Sequence, residues 1–177
     1  HTLLLVVADV EGKGVGSAMV MSNLQATLRA LVNHLHSLEV LSTSLNEMIY
    51  LDTKSEKYLS CFLGLVDTKR GGLHYINAGH NNPILRRASG QIERLDVGGL
   101  PFGIMPDAQY DAATITLAPG DWLVVFTDGL VEAVNARDEE AVYGVGAALA
   151  IAGDDVGAQQ DGPEHPQLLE VELLVPV

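Results

Sequence analysis

The chain has 177 residues, of which 47% are hydrophobic and 19% charged, so it can form one domain with a sizeable core and is too apolar for a disordered protein. Its formal net charge of −13 disfavours a nucleic-acid partner, because a phosphate backbone would repel it. The single cysteine, Cys61, excludes an internal disulfide and favours a reducing, cytoplasmic setting. Its apolar runs are far shorter than the ~20 residues that span a bilayer, which predicts no membrane contact from this segment.

The first predicted element is a buried strand over residues 2–8, rich in leucine and β-branched residues and ending at Asp9. Because the chain begins inside this strand and without methionine, we expect that the first strands of the domain lie upstream of it. A glycine-rich turn follows the strand at residues 12–16.

Two helices are predicted next. Ser17 can cap a helix that runs to about Asn33, since apolar residues recur there at steps of three and four. A second helix is predicted over residues 38–51 for the same reason.

Short alternating segments separated by turn residues then predict a β-meander of six strands. They cover residues 59–66, 72–77, 83–87, 92–96, 114–117 and 122–126. Short turns imply antiparallel neighbours, so the predicted fold class is α+β. The prediction is a single domain over residues 1–177, with a short helix at 147–152, a loop or disordered stretch at 153–166 and a possible last strand at 168–175.

Two aspartates share one local design. Asp9 ends the first predicted strand before a glycine turn, and Asp128 follows the strand at 122–126 and precedes Gly129. A carboxylate at a strand end is held rigidly, and the glycine lets a ligand approach. Brought together, the two would suit Mg²⁺ or Mn²⁺, which prefer oxygen ligands. Either aspartate alone is more typical of a turn.

Four sequence blocks in order resemble those of the bacterial branch of type-2C metal-dependent serine/threonine protein phosphatases, which includes sporulation and stress-response phosphatases. The blocks are DVEGKG at 9–14, YINAGH at 75–80, GLPFGI at 99–104, and PGDW at 119–122 continuing through TDGLVEA at 127–133. The resemblance covers about residues 3–145.

The resemblance implies two antiparallel sheets packed as a sandwich, flanked by helices, with a centre of two Mn²⁺ or Mg²⁺ ions at one edge. Asp9 would bridge both ions, the carbonyl of Val10 would bind one, and Asp128 would hold the other. A water acidified by the ions would attack phosphorus in line. This fits the absence of a Gly-x-Ser-x-Gly motif and of a Cys-x₅-Arg loop around Cys61.

The sequence departs from the family pattern at both ends. The family's upstream Gly-Gly-Asp block is absent, and its final Asp-Asp pair precedes a strand directly, whereas Asp154-Asp155 do not. Asp155 is therefore a weakly placed candidate for the last metal ligand. Asp154, Asp161 and Glu164 are its alternatives, and so is no ligand at all.

Three polar residues near these blocks allow two interpretations each. Glu11 is either an acid close to the metals or a solvated turn residue, and we prefer the second. Lys13 could attract a phosphate, but an exposed turn lysine is the simpler description. His80 is more typical of a histidine bonded to loop carbonyls than of an acid or a ligand.

Two other functions are compatible with parts of the sequence. A nucleotide-binding βα unit would explain the glycine turn, but the spacing is not Gly-x-Gly-x-x-Gly and no parallel βαβ units follow. A catalytically inactive phosphatase-like binding module fits the missing upstream carboxylate. If the chain is an enzyme, the resemblance implies a phosphorylated protein substrate, such as an anti-sigma-factor antagonist, and a sensor domain elsewhere in the full-length protein.

Overall fold

The computed structural model describes residues 2–32, 37–128 and 173–176 of the chain. Over these residues a strand and two helices precede eight further strands, which confirms the α+β class. The elements are β1 (Thr2–Val10), α1 (Val15–Leu31), α2 (Leu38–Thr53), β2 (Leu59–Asp67), β3 (Gly72–Ala78), β4 (Ile84–Arg86), β5 (Ile92–Arg94), β6 (Gly98–Gly99), β7 (Ala113–Thr116), β8 (Trp122–Val124) and β9 (Leu173–Pro176).

The strands form two sheets, as the family resemblance implied, whereas the strand pattern alone had predicted a meander without dividing it between sheets. The larger sheet has the order β6-β3-β2-β1-β9, with β7 also paired to β3, and the smaller has the order β5-β4-β8. Every pairing is antiparallel except that of β3 with β6. The chain leaves the larger sheet after β3 through residues 79–83 and enters the smaller sheet at β4, so neighbours in sequence become members of different layers.

The larger sheet is buried on both faces, and the alternation of side chains along its strands explains how. In β2, Leu59, Cys61 and Leu63 belong to a core cluster shared with α1 and α2. Phe62 points to the opposite face and packs in a second cluster with Leu85 of the smaller sheet. The layers are therefore helices, larger sheet and smaller sheet, in that order.

Helix α1 begins differently from the prediction. It starts at Val15 with Gly14 in the N-cap position, and no side chain caps it. Ser17, the predicted cap, lies inside the first turn, where it is buried and donates to the carbonyl of Glu11 at 3.2 Å. Helix α2 has a true cap, since the Ser37 side chain accepts from the backbone N–H of Val40.

Strand β6 was not predicted because its two residues carry no side-chain pattern. Gly98 lies against the backbone of β3 so closely that a Cβ atom there would overlap the carbonyl of Asn77. The pairing therefore depends on the lack of a side chain rather than on β propensity.

Part of the predicted architecture falls outside the described residues. This applies to the short helix at 147–152 and to the loop at 153–166. The final described strand, β9, pairs antiparallel with β1 from Leu3↔Pro176 to Val6↔Leu173. In the part of the chain that is described, no helix is both long and apolar enough to cross a membrane.

The loop after β6 is anchored by Phe102, which is fully buried and packs edge-on against Tyr110 with ring centroids 5.1 Å apart. We expect Phe102→Ala to lower the free energy of unfolding by about 3–5 kcal/mol, because it removes a ring from a closed core. Urea denaturation measures this. Ile104→Ala on the same loop is the control; Ile104 is exposed, so a change within about 0.5 kcal/mol is expected. A loss from Phe102→Ala as small as the control's would contradict this packing.

Candidate metal-binding site

Asp9 is the penultimate residue of β1, where it pairs with Ser60 of β2. Its neighbours in the strand, Ala8 and Val10, are buried in the core, so the backbone at Asp9 is held on both sides of the residue. The backbone N–H of Val10 lies close enough to the Asp9 carboxyl to lower its pKa. The strand thus fixes both the position and the direction of this carboxylate.

The structure brings Asp128 to the side of Asp9. Strand β8 ends at Val124, earlier than predicted, and the chain continues through buried Phe126 and Thr127 to the exposed Asp128. Burial raises the pKa of the Asp9 carboxyl, and the Asp128 carboxylate raises it further through charge repulsion and a side-chain hydrogen bond. Two carboxylates from distant parts of the sequence therefore meet at one point.

The backbone carbonyl of Val10 points to the same side as the Asp9 carboxylate. Val10 pairs with Leu59 across β1 and β2, but both backbone groups of Leu59 are bonded to Phe102 on the far side, at 3.0 and 2.8 Å. Val10 and Leu59 are thus a non-hydrogen-bonded pair, so the N–H and C=O of Val10 point away from β2. Since that N–H meets the Asp9 carboxylate, the carbonyl beside it is available to a ligand there.

The turn after Val10 is held by two residues that precede β2. The hydroxyl of Tyr58 donates to the Glu11 carboxylate at 3.1 Å, and the Glu11 N–H donates to the Tyr58 carbonyl at 3.0 Å. The ammonium of Lys57 donates to the Glu11 carbonyl at 3.3 Å. Glu11 is exposed but adds to the repulsion felt by Asp9, whereas Lys13 is exposed and points into solvent. Glu11 therefore combines features of both predicted roles.

His80 is buried beside the two aspartates, with only 4% of its surface exposed. Its Nδ1 and the Ser60 hydroxyl are hydrogen-bonded at 2.8 Å, and Ser60 is the residue opposite Asp9 in the sheet. Nε2 has no hydrogen-bond partner among the described residues. Burial lowers the pKa of the His80 ring, while the Asp128 carboxylate and the Phe126 carbonyl partly offset that effect. The sequence predicted that the ring bonds to loop carbonyls, whereas in the structure its Nδ1 bonds to the Ser60 hydroxyl.

The loop that carries His80 is fixed by the buried side chain of Asn77. Its carbonyl oxygen accepts from the His80 N–H at 2.7 Å, and its amide donates to the carbonyl oxygens of His80 and Leu95 at 3.0 and 3.1 Å. This explains the asparagine of the YINAGH block: it shapes the turn that presents the histidine.

The donors that meet here suit a hard divalent cation. Two carboxylates and a backbone carbonyl are oxygen ligands of the kind that Mg²⁺ and Mn²⁺ take. The repulsion that raises the Asp9 pKa is also a repulsion that a cation would relieve.

No group of three or more His, Cys, Asp or Glu side chains that could hold a metal occurs within residues 2–32 and 37–128. Asp155 and its alternatives Asp154, Asp161 and Glu164 lie outside the described residues.

Sequence patterns did not reveal the residues that support this site. Lys57 follows a helix end in an exposed, charged stretch, where a lysine is ordinary. Ser60 had a weak signal, since a hydroxyl interrupts the apolar run of β2. Their roles depend on pairing between distant segments, which no local pattern encodes.

A family model described as Stage II sporulation protein E (SpoIIE) matches residues 1–166. Among curated proteins, the chain is 29% identical over 164 residues to Protein IcfG from Synechocystis sp. (strain ATCC 27184 / PCC 6803 / Kazusa), covering 77% of this chain and 26% of that protein. It is 27% identical over 134 residues to Phosphoserine phosphatase RsbU from Bacillus subtilis (strain 168), covering 75% of this chain and 40% of that one. The chain thus spans less than half the length of these relatives.

Solved structures share the fold. The RsbU and RsbW domains of Rv1364c from Mycobacterium tuberculosis match with a TM-score of 0.71 and 26% identity, over 85% of this chain and 42% of that chain. RsbX in complex with magnesium matches with a TM-score of 0.61 and 19% identity, over 73% of this chain and 61% of that one. These similarities confirm the predicted fold of two packed sheets with helices.

We expect Asp9→Asn to raise the melting temperature of the metal-free protein at pH 7. The pKa of Asp9 lies above its ordinary value of 3.8, so the folded state binds more protons than the unfolded state between the two values. Stability therefore falls as the pH rises through that window and stays reduced above it. Asparagine removes the charge, and its advantage should disappear below about pH 4.

Thermal melts in EDTA at pH 3.5 to 8 measure this difference. Asp107→Asn is the control, because it removes the same charge from an exposed position on the loop after β6. Equal gains for both variants would show that only the overall charge of −13 matters. A lower melting temperature for Asp9→Asn would contradict the repulsion.

Proposed function

The chain belongs to the Stage II sporulation protein E (SpoIIE) family of PP2C-type phosphatases, and we propose that it hydrolyses phosphoserine or phosphothreonine on a regulatory protein with the help of divalent cations. Its curated relative RsbU is a phosphoserine phosphatase, which supports protein phosphatase chemistry at the level of the family. The residues that we assign to the reaction, and the substrate, are part of the proposal.

The observation that carries the proposal is the meeting of Asp9 and Asp128. A fold gains nothing in stability from holding two carboxylates together, since their repulsion raises the pKa of Asp9 and opposes folding at neutral pH. Titratable groups perturbed in this way are concentrated at functional sites. A cation bound by the Asp9 and Asp128 carboxylates would offset the repulsion between them.

We propose that Asp9, Asp128 and the carbonyl of Val10 hold two Mn²⁺ or Mg²⁺ ions. Such ions acidify a bound water and offset negative charge on phosphoryl oxygens. The solved structure of RsbX in complex with magnesium, a protein of the same fold, supports the choice of ion. Asp155 stays a candidate for a further ligand.

The protein's own residues prepare the site for this chemistry. The sheet fixes Asp9 and Val10, so that little reorganisation is needed when a cation or a phosphate arrives. His80, held by Ser60 and Asn77, is a buried ring close enough to Asp128 for that carboxylate to raise its pKa. The sheet thus holds the proposed metal ligands Asp9 and Val10 in place before a cation binds.

Cys61 does not suit a covalent route. It is fully buried in β2, and burial raises the pKa of its thiol far above neutral pH, so no thiolate forms there. Hydrolysis by a water molecule is the alternative that the remaining residues support.

The substrate we propose is a phosphorylated regulatory protein of the cytoplasm, such as an anti-sigma-factor antagonist. A sensor domain elsewhere in the full-length protein would control the reaction. Because the chain spans 26% of IcfG and 40% of RsbU, room for further domains exists in proteins of this kind.

The test is hydrolysis of p-nitrophenyl phosphate and of a phosphoserine peptide by the purified protein. We expect activity with Mn²⁺ or Mg²⁺ and none in EDTA. Asp9→Asn and Asp128→Asn should each lower kcat/KM by about 100-fold or more, since loss of an outer-shell group alone costs 10–100-fold at metal sites.

Cys61→Ala is the matched control and should keep the activity of the parent once both are shown to be folded. Activity that resists EDTA and needs Cys61 would assign a different enzyme class. Binding of the phosphopeptide without any phosphate release, in the presence of Mn²⁺, would instead favour the inactive binding module.

A further inference from the structure

The glycine-rich turn between β1 and α1 encloses the side chain of Lys57. The Lys57 ammonium donates to the Glu11 carbonyl at 3.3 Å and to the Ser17 hydroxyl at 3.0 Å, and the Ser17 hydroxyl donates to the same carbonyl at 3.2 Å. A lysine from the segment before β2 is therefore bonded to the turn that follows Val10. The buried Ser17 completes a closed set of three hydrogen bonds around one carbonyl.

Two glycines of the turn make room for this lysine. A Cβ atom on Gly12 would lie 3.2 Å from the Lys57 Nζ, and one on Gly16 would lie 3.2 Å from its Cε. A Cβ atom at either position would therefore displace the end of the lysine side chain by a few tenths of an ångström. Gly12 is also favoured by its positive φ of 84°.

Lys57 itself is held at its backbone. The Thr53 hydroxyl at the end of α2 lies 2.9 Å from the Lys57 carbonyl and 2.8 Å from the Ile49 carbonyl, and its one proton is shared between them. The backbone of Lys57 is therefore fixed, and its ammonium has a smaller range of positions than that of a lysine on a mobile surface loop.

These bonds determine where the Val10 carbonyl points. The peptide that contains this carbonyl also contains the Glu11 N–H, which donates to the Tyr58 carbonyl. In a trans peptide the C=O and N–H point in opposite directions, so the bond to Tyr58 directs the Val10 carbonyl away from β2. The next peptide is fixed by Lys57 through the Glu11 carbonyl. With both peptides held, the Val10 carbonyl stays beside Asp9.

We propose that Lys57 is a positioning residue of the cation site: it fixes the turn after β1 so that the Val10 carbonyl is presented next to the Asp9 carboxylate. This inference rests on the proposed function, because it assigns Lys57 a role toward the cation that Val10 would bind. Lys57 contacts neither the ion nor the substrate and acts through the backbone of Glu11.

The direction in which Mn²⁺ affinity changes when Lys57 is replaced distinguishes a positioning role from a purely electrostatic one. An ammonium near a cation site repels the cation, so removing its charge should tighten cation binding. Removing a group that positions a ligand should weaken binding, by about 10-fold or more for outer-shell partners of metal ligands. The two explanations predict opposite changes.

The experiment is calorimetric titration of the purified protein with Mn²⁺, beside thermal melts and phosphatase kinetics. Lys57→Met should bind Mn²⁺ about 10-fold or more weakly than the parent while staying folded. Lys13→Met is the matched control: it removes the same charge from an exposed position of the same turn. Its affinity should be unchanged or slightly higher.

Gly16→Ala tests the same role without changing any charge. Alanine favours the helix at this position of α1, so the melting temperature should not fall. Its Cβ displaces the Lys57 stem, so Mn²⁺ affinity should fall, by less than in Lys57→Met. A loss of affinity without a loss of stability is a result that a merely structural role of Lys57 would not produce.

The outcomes are distinguishable. If the parent binds no Mn²⁺, the proposed function is wrong and this inference falls with it. If the parent binds Mn²⁺ and Lys57→Met binds it equally well or more tightly, the inference alone is wrong. An increase in KM of Lys57→Met with unchanged Mn²⁺ affinity would also overturn it, because Lys57 would then contact the substrate.

Discussion

The like-charge contact between Asp9 and Asp128 is the constraint on which the site depends. Burial and repulsion both raise the pKa of Asp9, so the metal-free fold holds this pair at a cost in stability at neutral pH. Such an arrangement persists only if the surrounding structure leaves the carboxylates no other position. The rest of the fold can be understood as the means by which the two side chains are kept together.

The larger sheet supplies most of that rigidity. Strands β1 and β2 pair over nine residues, from Thr2↔Asp67 to Val10↔Leu59, and both faces of the sheet are covered. Asp9 can therefore move only if a strand buried between two layers moves. Asp128 is reached after the short strand β8, and the buried Phe126 and Thr127 that follow the strand hold the chain on the way to the site.

The sequence predicted what local patterns encode and missed what arises between distant segments. Asp9 and Asp128 could be found because each comes after an apolar run of residues and before a glycine or a glycine turn. The strand pattern alone did not separate the smaller sheet from the larger one, because alternation along β4 or β8 shows that one face is buried but not against which layer. The two sheets were expected only from the family resemblance. Gly98 of β6 and Lys57 gave no signal, since the contact of each is with a backbone distant in sequence.

The glycine turn is a local pattern that predicts free space beside the backbone but not which group fills that space. Strand, glycine-rich turn and helix is the arrangement that cradles phosphate in nucleotide-binding proteins, because small residues leave room at a helix N-terminus. Here the room beside Gly12 and Gly16 is filled by the Lys57 side chain, whose ammonium already bonds to the Glu11 carbonyl. A phosphate held in that way would have to displace the lysine and break the bonds that shape the turn. Gly12 and Gly14 are therefore better explained by their positive φ angles, and Gly16 by the lysine side chain beside it, than by a nucleotide.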